Sequence, residues 1–235
     1  CVGDYGYMPK LNTANPEVQA YIYNVMVFWL NEYHIDGWRL DVADEIDPSL
    51  WTRIRYRIKS AYPDCLLLGE TWGDGFSLLD EKSVDSIMNY VFRDSVRDFL
   101  ARGSIDAKMF NHRICQMRSH YPEEIRQALF QPLDSHDTER FLWNCSGDIR
   151  RLKLAALFQM CFPGAPSIYY GDEIGLNGDN DPDCRRCMEW NPAKQNADVL
   201  SFYKKIIRIR KKNPCLRTGN IVPLVCEEMT YGYLC

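Results

Sequence analysis

The sequence predicts an α/β protein built like the last five or so units of a (β/α)8 barrel. Short apolar runs of strand length alternate with amphipathic helical segments along the 235 residues, which is typical of parallel sheets with helical crossovers. One run is apolar almost throughout, as expected for a strand buried on both faces. Asp41, Glu70 and Asp137 lie at or near the ends of three runs. Barrel enzymes place their active sites at these carboxyl ends.

Helix caps and periodic apolar residues predict the first elements. Asn15-Pro16 is typical of a helix start, and apolar residues recur at helical spacing as far as Tyr33. A strand is predicted over residues 37–42 and a continuous apolar strand over 65–70. The helix between them begins at Asp47-Pro48, and its predicted inner face consists of Leu50, Trp51, Ile54 and Ile58.

The alternation continues through the second part of the chain. The predicted strands are residues 86–92, 128–133 and 165–170, and the predicted helices are 93–120 with a break at Gly103-Ser104, 149–161, and a last one marked by Val199, Tyr203, Ile206 and Arg210. Residues 219–235 contain two strand candidates without an intervening helix. We therefore expect residues 1–213 to belong to the barrel and residues 214–235 to begin a C-terminal β-sandwich domain.

A doubly wound parallel sheet is the competing architecture. That fold usually carries a glycine-rich phosphate loop after its first strand, and the sequence contains neither GxGxxG nor GxxxxGK. The chain lacks a start methionine, so we read it as a piece of a longer protein. Five barrel units leave open sheet edges, which implies either earlier residues or association with another copy or piece.

Composition argues against several classes of protein. A net charge of −4 does not favour nucleic-acid binding, which needs a basic surface. No apolar run approaches the roughly 18 residues of a membrane span. The ten cysteines are scattered, which favours free thiols and a cytoplasmic location. Cys184 and Cys187 have zinc-ligand spacing, but there is no second such pair.

Arg39 and Asp41 are candidate functional residues because side chains two apart on a strand face the same way. A buried ion pair that merely closes the strand is the alternative interpretation. Glu70 ends an apolar run and precedes Trp72. A carboxyl in such surroundings is expected to have a raised pKa, which suits a general acid. With Asp137, these acids are the inventory for glycoside hydrolysis through two carboxylates.

Several segments resemble the α-amylase family of retaining glycoside hydrolases. "GWRLDVADE" resembles its nucleophile strand, "LLLGETW" its general-acid strand and "LDSHDTERF" its transition-state-stabilising segment. "MPKLN" at residues 8–12 and "GDNDPDCRRCMEW" at residues 178–190 are similar to the neopullulanase, cyclomaltodextrinase and maltogenic amylase subgroup.

The resemblance implies a role for each residue of the catalytic set. Asp41 would be the nucleophile that forms a covalent glycosyl-enzyme, and Glu70 the general acid and then the base. Asp137 would bind sugar hydroxyls and favour the distorted ring of the transition state. Arg39 would keep Asp41 ionised and oriented, and His136 would hydrogen-bond the sugar. A retaining enzyme needs its two catalytic carboxyls about 5–5.5 Å apart.

Further substrate contacts follow from the same resemblance. Asp181 and Arg185 would contact the non-reducing end of the sugar, and Trp72, Asp44 and Glu45 would lie on the leaving-group side. For Trp72 simple packing is the alternative, and for Asp44 and Glu45 a solvated loop. Asp44 departs from the subgroup, where Asn is common, which leaves the balance between hydrolysis and transfer open.

The implied partner is an α-glucan oligosaccharide such as a cyclodextrin, a maltooligosaccharide or pullulan. It would be cleaved at α-1,4 bonds, and cleavage at α-1,6 bonds is left open. A transglycosylase with the same site and a non-catalytic glucan-binding scaffold on the same fold are the alternatives. No cofactor is expected. The acid-rich residues 178–183 are a weak candidate for calcium.

Overall fold

The computed structural model describes residues 3, 5–80 and 83–235, so Cys1, where the predicted barrel segment starts, lies outside it. The chain forms two compact units, Cys1–Met88 and Asn89–Cys235. The elements of the first unit are the helices α1 (Pro16–Tyr33), α2 (Pro48–Ala61) and α3 (Phe76–Asp80) and the strands β1 (Gly37–Leu40), β2 (Leu66–Gly69) and β3 (Ser86–Ile87).

In the first unit, β1, β2 and β3 pair in that order as a parallel sheet. Gly37 opposes Leu66, and a Cβ on Gly37 would lie 2.4 Å from the Leu66 carbonyl oxygen, so only glycine fits there. Leu40 opposes Gly69 at the other end. Asp41 and Glu70 are therefore the first residues after two strands that end side by side.

The predicted helices of the first unit are confirmed at their first residues. The side-chain oxygen of Asn15 accepts the N–H of Glu17 at 2.8 Å, and that of Asp47 accepts the N–H of Ser49 at 2.9 Å. The predicted inner face of α2 is buried in full: Leu50, Trp51, Ile54 and Ile58. Local caps and apolar spacing thus set both helices.

The second unit contains parallel strands, helices and a terminal hairpin. Its helices are α4 (Tyr90–Val96), which continues as a π-helical segment Arg97–Arg102, α5 (Ala107–Ser119), α6 (Glu123–Ala128), α7 (Phe141–Asn144), α8 (Ile149–Cys161), α9 (Ala197–Lys212) and α10 (Cys215–Thr218). Its strands are β4 (Phe130–Pro132), β5 (Ala165–Ser167), β6 (Val222–Glu227) and β7 (Thr230–Leu234). β4 and β5 pair in parallel, and β6 and β7 pair antiparallel. None of the helices described here combines the length and apolarity needed to cross a bilayer.

The predicted strand at residues 86–92 is wrong beyond Ile87. The Asn89 side chain accepts the N–H of Phe92 at 3.0 Å and caps α4. Tyr90 and Phe92 are fully buried on that helix. An apolar aromatic run fits a buried helix as well as a strand, and here the cap decides.

The hairpin of β6 and β7 matches the two strand candidates near the end of the chain. The Glu228 carbonyl at its turn accepts the N–H of Ala107 at 2.7 Å, at the start of α5. Tyr231 packs edge-on against Phe110 of the same helix. The domain boundary predicted at residues 213 and 214 stays a prediction.

Asp85 joins α2 to the sheet of the first unit. Its carboxylate lies 2.5 Å from Arg55 Nη1 and 2.8 Å from Lys59 Nζ, and it accepts the N–H of Leu67 at 2.8 Å. Burial opposes the charged form, but Lys59, the Leu67 N–H and Arg55 outweigh it and hold the pKa of Asp85 below its ordinary value. Asp85 therefore stabilises the fold in its ionised form.

Replacing Asp85 with Asn should lower the free energy of unfolding by about 1–3 kcal/mol at neutral pH, because charge-assisted hydrogen bonds are lost. A carboxyl whose pKa is lowered in the folded state stabilises that state fully above the ordinary carboxyl pKa of about 3.9. This stabilisation disappears as the pH falls through the lowered pKa. Urea unfolding from about pH 7 to about pH 3 should show the two proteins converging. Asp64→Asn, at an exposed carboxyl, is the matched control. A pH-independent difference would contradict this assignment.

Candidate active site

Two carboxyl groups share one guanidinium at the ends of β1 and β2. Arg39 Nη1 donates to Asp41 Oδ1, and Arg39 Nη2 lies 2.5 Å from Glu70 Oε1. The side chain of Glu70 is 3% exposed, whereas that of Asp41 is 69% exposed. Arg39 therefore holds one accessible carboxyl and one buried carboxyl close together.

Glu70 has more polar partners than its apolar run indicated. Its Oε2 accepts the N–H of Val42 at 2.9 Å. Its own N–H donates to the Leu40 carbonyl at 2.8 Å, and its carbonyl accepts the N–H of Ala43 at 2.9 Å. Burial favours the neutral acid, while Arg39 and the Val42 N–H favour the carboxylate. The raised pKa expected for Glu70 stays a prediction.

Val42 has a backbone conformation that the sequence did not indicate. Its φ is +44°, which is a rare value for a β-branched residue. The chain leaves the strand direction there, so β1 ends at Leu40 instead of the predicted residue 42. The hydrogen bond from Val42 to Glu70 stabilises this turn. Gly or Asn would have been the usual signal for such a turn, and neither is present.

A short 3-10 turn, Ala43–Glu45, follows and carries two of the predicted contact residues. Asp44 Oδ2 accepts the hydroxyl of Thr71 at 2.6 Å. Glu45 accepts the N–H of Gly3 at 2.6 Å and lies 3.0 Å from Lys10 Nζ. The Gly3 N–H and Lys10 hold the pKa of Glu45 below its ordinary value.

The "MPKLN" segment lies next to the proposed nucleophile. Pro9, Lys10 and Leu11 line a cavity of about 200 Å³ together with Asp41 and Glu45. Lys10 also donates to the Glu45 carbonyl at 3.0 Å. The sequence indicated the motif but not this ion pair, because nothing local links residues 10 and 45. Trp72 is half-exposed beside the end of β2.

In the second unit, Asp137 is held by two cationic or ionisable neighbours. Its Oδ2 lies 2.9 Å from His136 Nε2, and its Oδ1 lies 3.2 Å from Arg185 Nη2. The Asp137 N–H donates to the hydroxyl of Ser135 at 3.2 Å. The carboxyl is therefore fixed from both sides while remaining partly exposed.

Arg185 links the two predicted segments of the second unit. Its Nε donates to the His136 carbonyl at 2.9 Å and lies 2.9 Å from Asp181 Oδ1. The buried thiol of Cys184 also lies 3.3 Å from the His136 carbonyl. Arg185 thus holds the His136 carbonyl and the Asp137 carboxyl, and Asp181 pairs with Arg185. The sugar contacts expected of Asp181 and Arg185 stay predictions.

The structure brings the predicted residues together in two sets, one in each unit. Arg39, Asp41, Glu70, Trp72 and Glu45 belong to the first unit, and His136, Asp137, Asp181 and Arg185 to the second. Within residues 3, 5–80 and 83–235, no three His, Cys, Asp or Glu side chains are grouped as a metal ion requires. Calcium at residues 178–183 stays a weak prediction.

Comparison with known proteins identifies the family. Residues 3–219 match the family described as "Alpha amylase, catalytic domain". The chain belongs to the α-amylase family. It is 50% identical over 214 residues to Neopullulanase 2 of Thermoactinomyces vulgaris, covering 91% of this chain and 36% of that protein. It is 48% identical over 226 residues to a cyclomaltodextrinase of Thermoanaerobacter pseudethanolicus (strain ATCC 33223 / 39E), covering 96% of this chain and 39% of that protein.

A solved structure confirms the predicted fold class of this α-amylase-family chain. It is a cyclomaltodextrinase that superposes with a TM-score of 0.93 at 42% identity, covering 96% of this chain and 39% of that one. The matched residues are thus part of an α-amylase catalytic domain, and their fold is a partial (β/α)8 barrel. It spans less than two fifths of the length of these relatives.

The shared guanidinium predicts strong coupling between Arg39 and Glu70. Arg39→Gln should lower the free energy of unfolding by about 2–3 kcal/mol, less than for a fully buried pair because Arg39 is partly exposed. Glu70→Gln made in the Arg39→Gln protein should recover part of that loss, because it removes the uncompensated buried carboxylate. Denaturant unfolding of the four proteins measures the coupling.

Arg150→Gln serves as the control for that cycle, since Arg150 is 92% exposed although paired with Asp148. It should leave stability unchanged within error. Strictly additive effects at Arg39 and Glu70 would show that the contact between them contributes nothing.

Proposed function

We propose that the protein is a retaining α-glucan hydrolase that cleaves α-1,4 glucosidic bonds through a covalent glycosyl-enzyme, with α-1,6 cleavage as a second activity to be tested. The observation that supports this most is the pair of carboxyls held by Arg39. Asp41 is accessible and accepts a hydrogen bond from a guanidinium, as suits a nucleophile. Glu70 is buried at the end of the adjacent strand, within reach of the same guanidinium.

The proposed reaction has two displacements. Asp41 attacks the anomeric carbon while Glu70 protonates the departing glucosidic oxygen. Glu70, now a carboxylate, then takes a proton from water, and that water releases the sugar from Asp41. Arg39 favours the ionised form of Glu70 between these steps. Asp137 and His136 would hold sugar hydroxyls, and the contact with Arg185 would orient the Asp137 carboxyl.

The substrate class is proposed from the relatives. Proteins similar to this chain are named cyclomaltodextrinase and neopullulanase. Cyclodextrins, maltooligosaccharides and pullulan are therefore the proposed substrates, and no cofactor is needed for this chemistry. A cytoplasmic location, self-association and a β domain that begins at residue 214 remain further predictions.

The natural protein incubated with β-cyclodextrin, pullulan and starch tests the proposal, with products followed by their anomeric form. Opening of the cyclodextrin with α-anomeric products is expected. β-Anomeric products would contradict the retaining mechanism. Products longer than the substrate as the main outcome would favour a transglycosylase. Bound sugar without products from any substrate would favour a glucan-binding scaffold.

Asp41→Asn should abolish turnover, with a loss on the order of 10⁴-fold or more, because the amide cannot form the glycosyl-enzyme. Maltooligosaccharide binding, followed by calorimetry, should persist. Asp47→Asn, at the N-cap of the following helix, is the matched control, since Asn caps α2 as well as Asp does. An active Asp41→Asn enzyme would remove Asp41 from the mechanism.

A further inference from the structure

Two aspartates of the second unit are buried side by side below the segment that carries His136 and Asp137. Asp134 is 2% exposed and starts that segment after β4, and Asp172 is 4% exposed and starts a 3-10 turn after β5. The two side chains lie close enough for a hydrogen bond between their carboxyls. The fully buried Arg140 ends the same segment.

The donors and acceptors around Asp134 require one proton between the two carboxyls. Asp134 Oδ2 accepts the N–H of Phe141 at 2.6 Å. Asp134 Oδ1 is buried, and with both acids ionised it has no donor among the described residues. Ionised carboxyl oxygens only accept hydrogen bonds, so a bond between two carboxyls needs one of them protonated.

The charges around the pair also require one proton on the two carboxyls. Arg140 Nη1 lies 3.2 Å from Asp172 Oδ1. One cation with two carboxylates would leave a net buried charge, whereas one shared proton makes the cluster neutral. Among the described residues, Arg93 on α4, the Cys145 thiol and Tyr203 on α9 also interact electrostatically with the pair. Arg93 is already paired with Asp94 and Glu139.

We propose that Asp134 and Asp172 share one proton and form, with Arg140, a neutral buried lock that positions the segment bearing His136 and Asp137. Asp134 and Arg140 hold its two ends. The Arg140 N–H donates to the Gly178 carbonyl at 3.0 Å, and its Nε donates to the Cys184 carbonyl at 2.9 Å. The lock thereby joins this segment to the one that carries Arg185. Its consequence for sugar binding rests on the proposed function.

The titration behaviour agrees with this geometry. Burial raises the pKa of Asp172 well above its ordinary value, and the neighbouring Asp134 raises it further. Burial also raises the pKa of Asp134, although its bonds to Asp172 and to the Phe141 N–H oppose the shift. Both shifts favour a proton on the pair, and the larger one is at Asp172.

Asparagine substitutions test the charge count in the natural protein. Asp172→Asn keeps a donor towards Asp134 and an acceptor for Arg140, so it should fold with a melting temperature close to that of the parent. Asp134→Asn leaves Asp172 free to ionise beside Arg140 and should also be tolerated. The double Asn variant leaves Arg140 without any carboxylate and should lose far more than the sum of the single changes. Additive small effects would overturn the proposal, and so would a severe loss in both single variants.

The pH dependence of unfolding tests the proton itself. A carboxyl with a raised folded-state pKa stabilises fully below its unfolded value, and the gain is lost as pH rises towards the folded value. From about pH 4 upward, the unfolding constant of the parent should therefore rise relative to that of Asp172→Asn by up to about tenfold per pH unit. Parallel profiles would overturn the shared proton.

A positioning role needs a readout beyond stability. Asp172→Ala should raise KM for maltooligosaccharides several-fold at temperatures where it remains folded, and Asp172→Asn should restore the parent value. Equal KM values in all three proteins would overturn the positioning role. The unfolding arm does not depend on catalysis, so an inactive parent with the expected pH profiles would refute only the proposed hydrolysis.

Discussion

The bridge from Arg39 to Asp41 and Glu70 depends on the register of one pair of parallel strands. Leu40 opposes Gly69, so the two acids leave the sheet at the same level. The ladder continues beyond the strands, since Glu70 donates to the Leu40 carbonyl and accepts from Ala43. A shift by one residue would turn either acid to the opposite face. The positions of Asp41 and Glu70 beside Arg39 are therefore set by the backbone pairing of β1 and β2.

The second unit shows two solutions for a buried arginine. The charge of Arg140 is balanced by the carboxyl pair Asp134 and Asp172, which shares one proton and so carries one negative charge. Arg210, on α9, donates instead to the carbonyls of Met160 and Phe162 at the end of α8. A helix end carries partial negative charge and unpaired carbonyls, so it can hold a cation without a carboxylate. The arrangement around Arg140 adds titratable carboxyls to the segment that carries Asp137, whereas the carbonyls around Arg210 cannot titrate.

The helices could be predicted from the sequence because their signals are local. Asn15 and Asp47 cap their helices with their own side chains, and the inner face of α2 follows from spacing. Strand ends and ion pairs across the fold could not be predicted. Val42 turns the chain through a conformation that its residue type disfavours, and the pair of Lys10 with Glu45 joins residues with no local relation. The resemblance located Arg39, Asp41 and Glu70. The contact of one guanidinium with both acids could be seen only from the register of β1 and β2.

Asp44 stands where the subgroup commonly has Asn, and its hydrogen bond shows what the aspartate contributes. Its Oδ2 accepts the hydroxyl of Thr71, the residue after Glu70, at 2.6 Å. The carbonyl oxygen of an Asn at this position would accept the same bond, so the turn does not require a carboxylate. What the aspartate adds is a negative charge on the turn that follows Asp41. This added charge, and not the hydrogen bond to Thr71, is therefore what distinguishes the chain from the subgroup at this position.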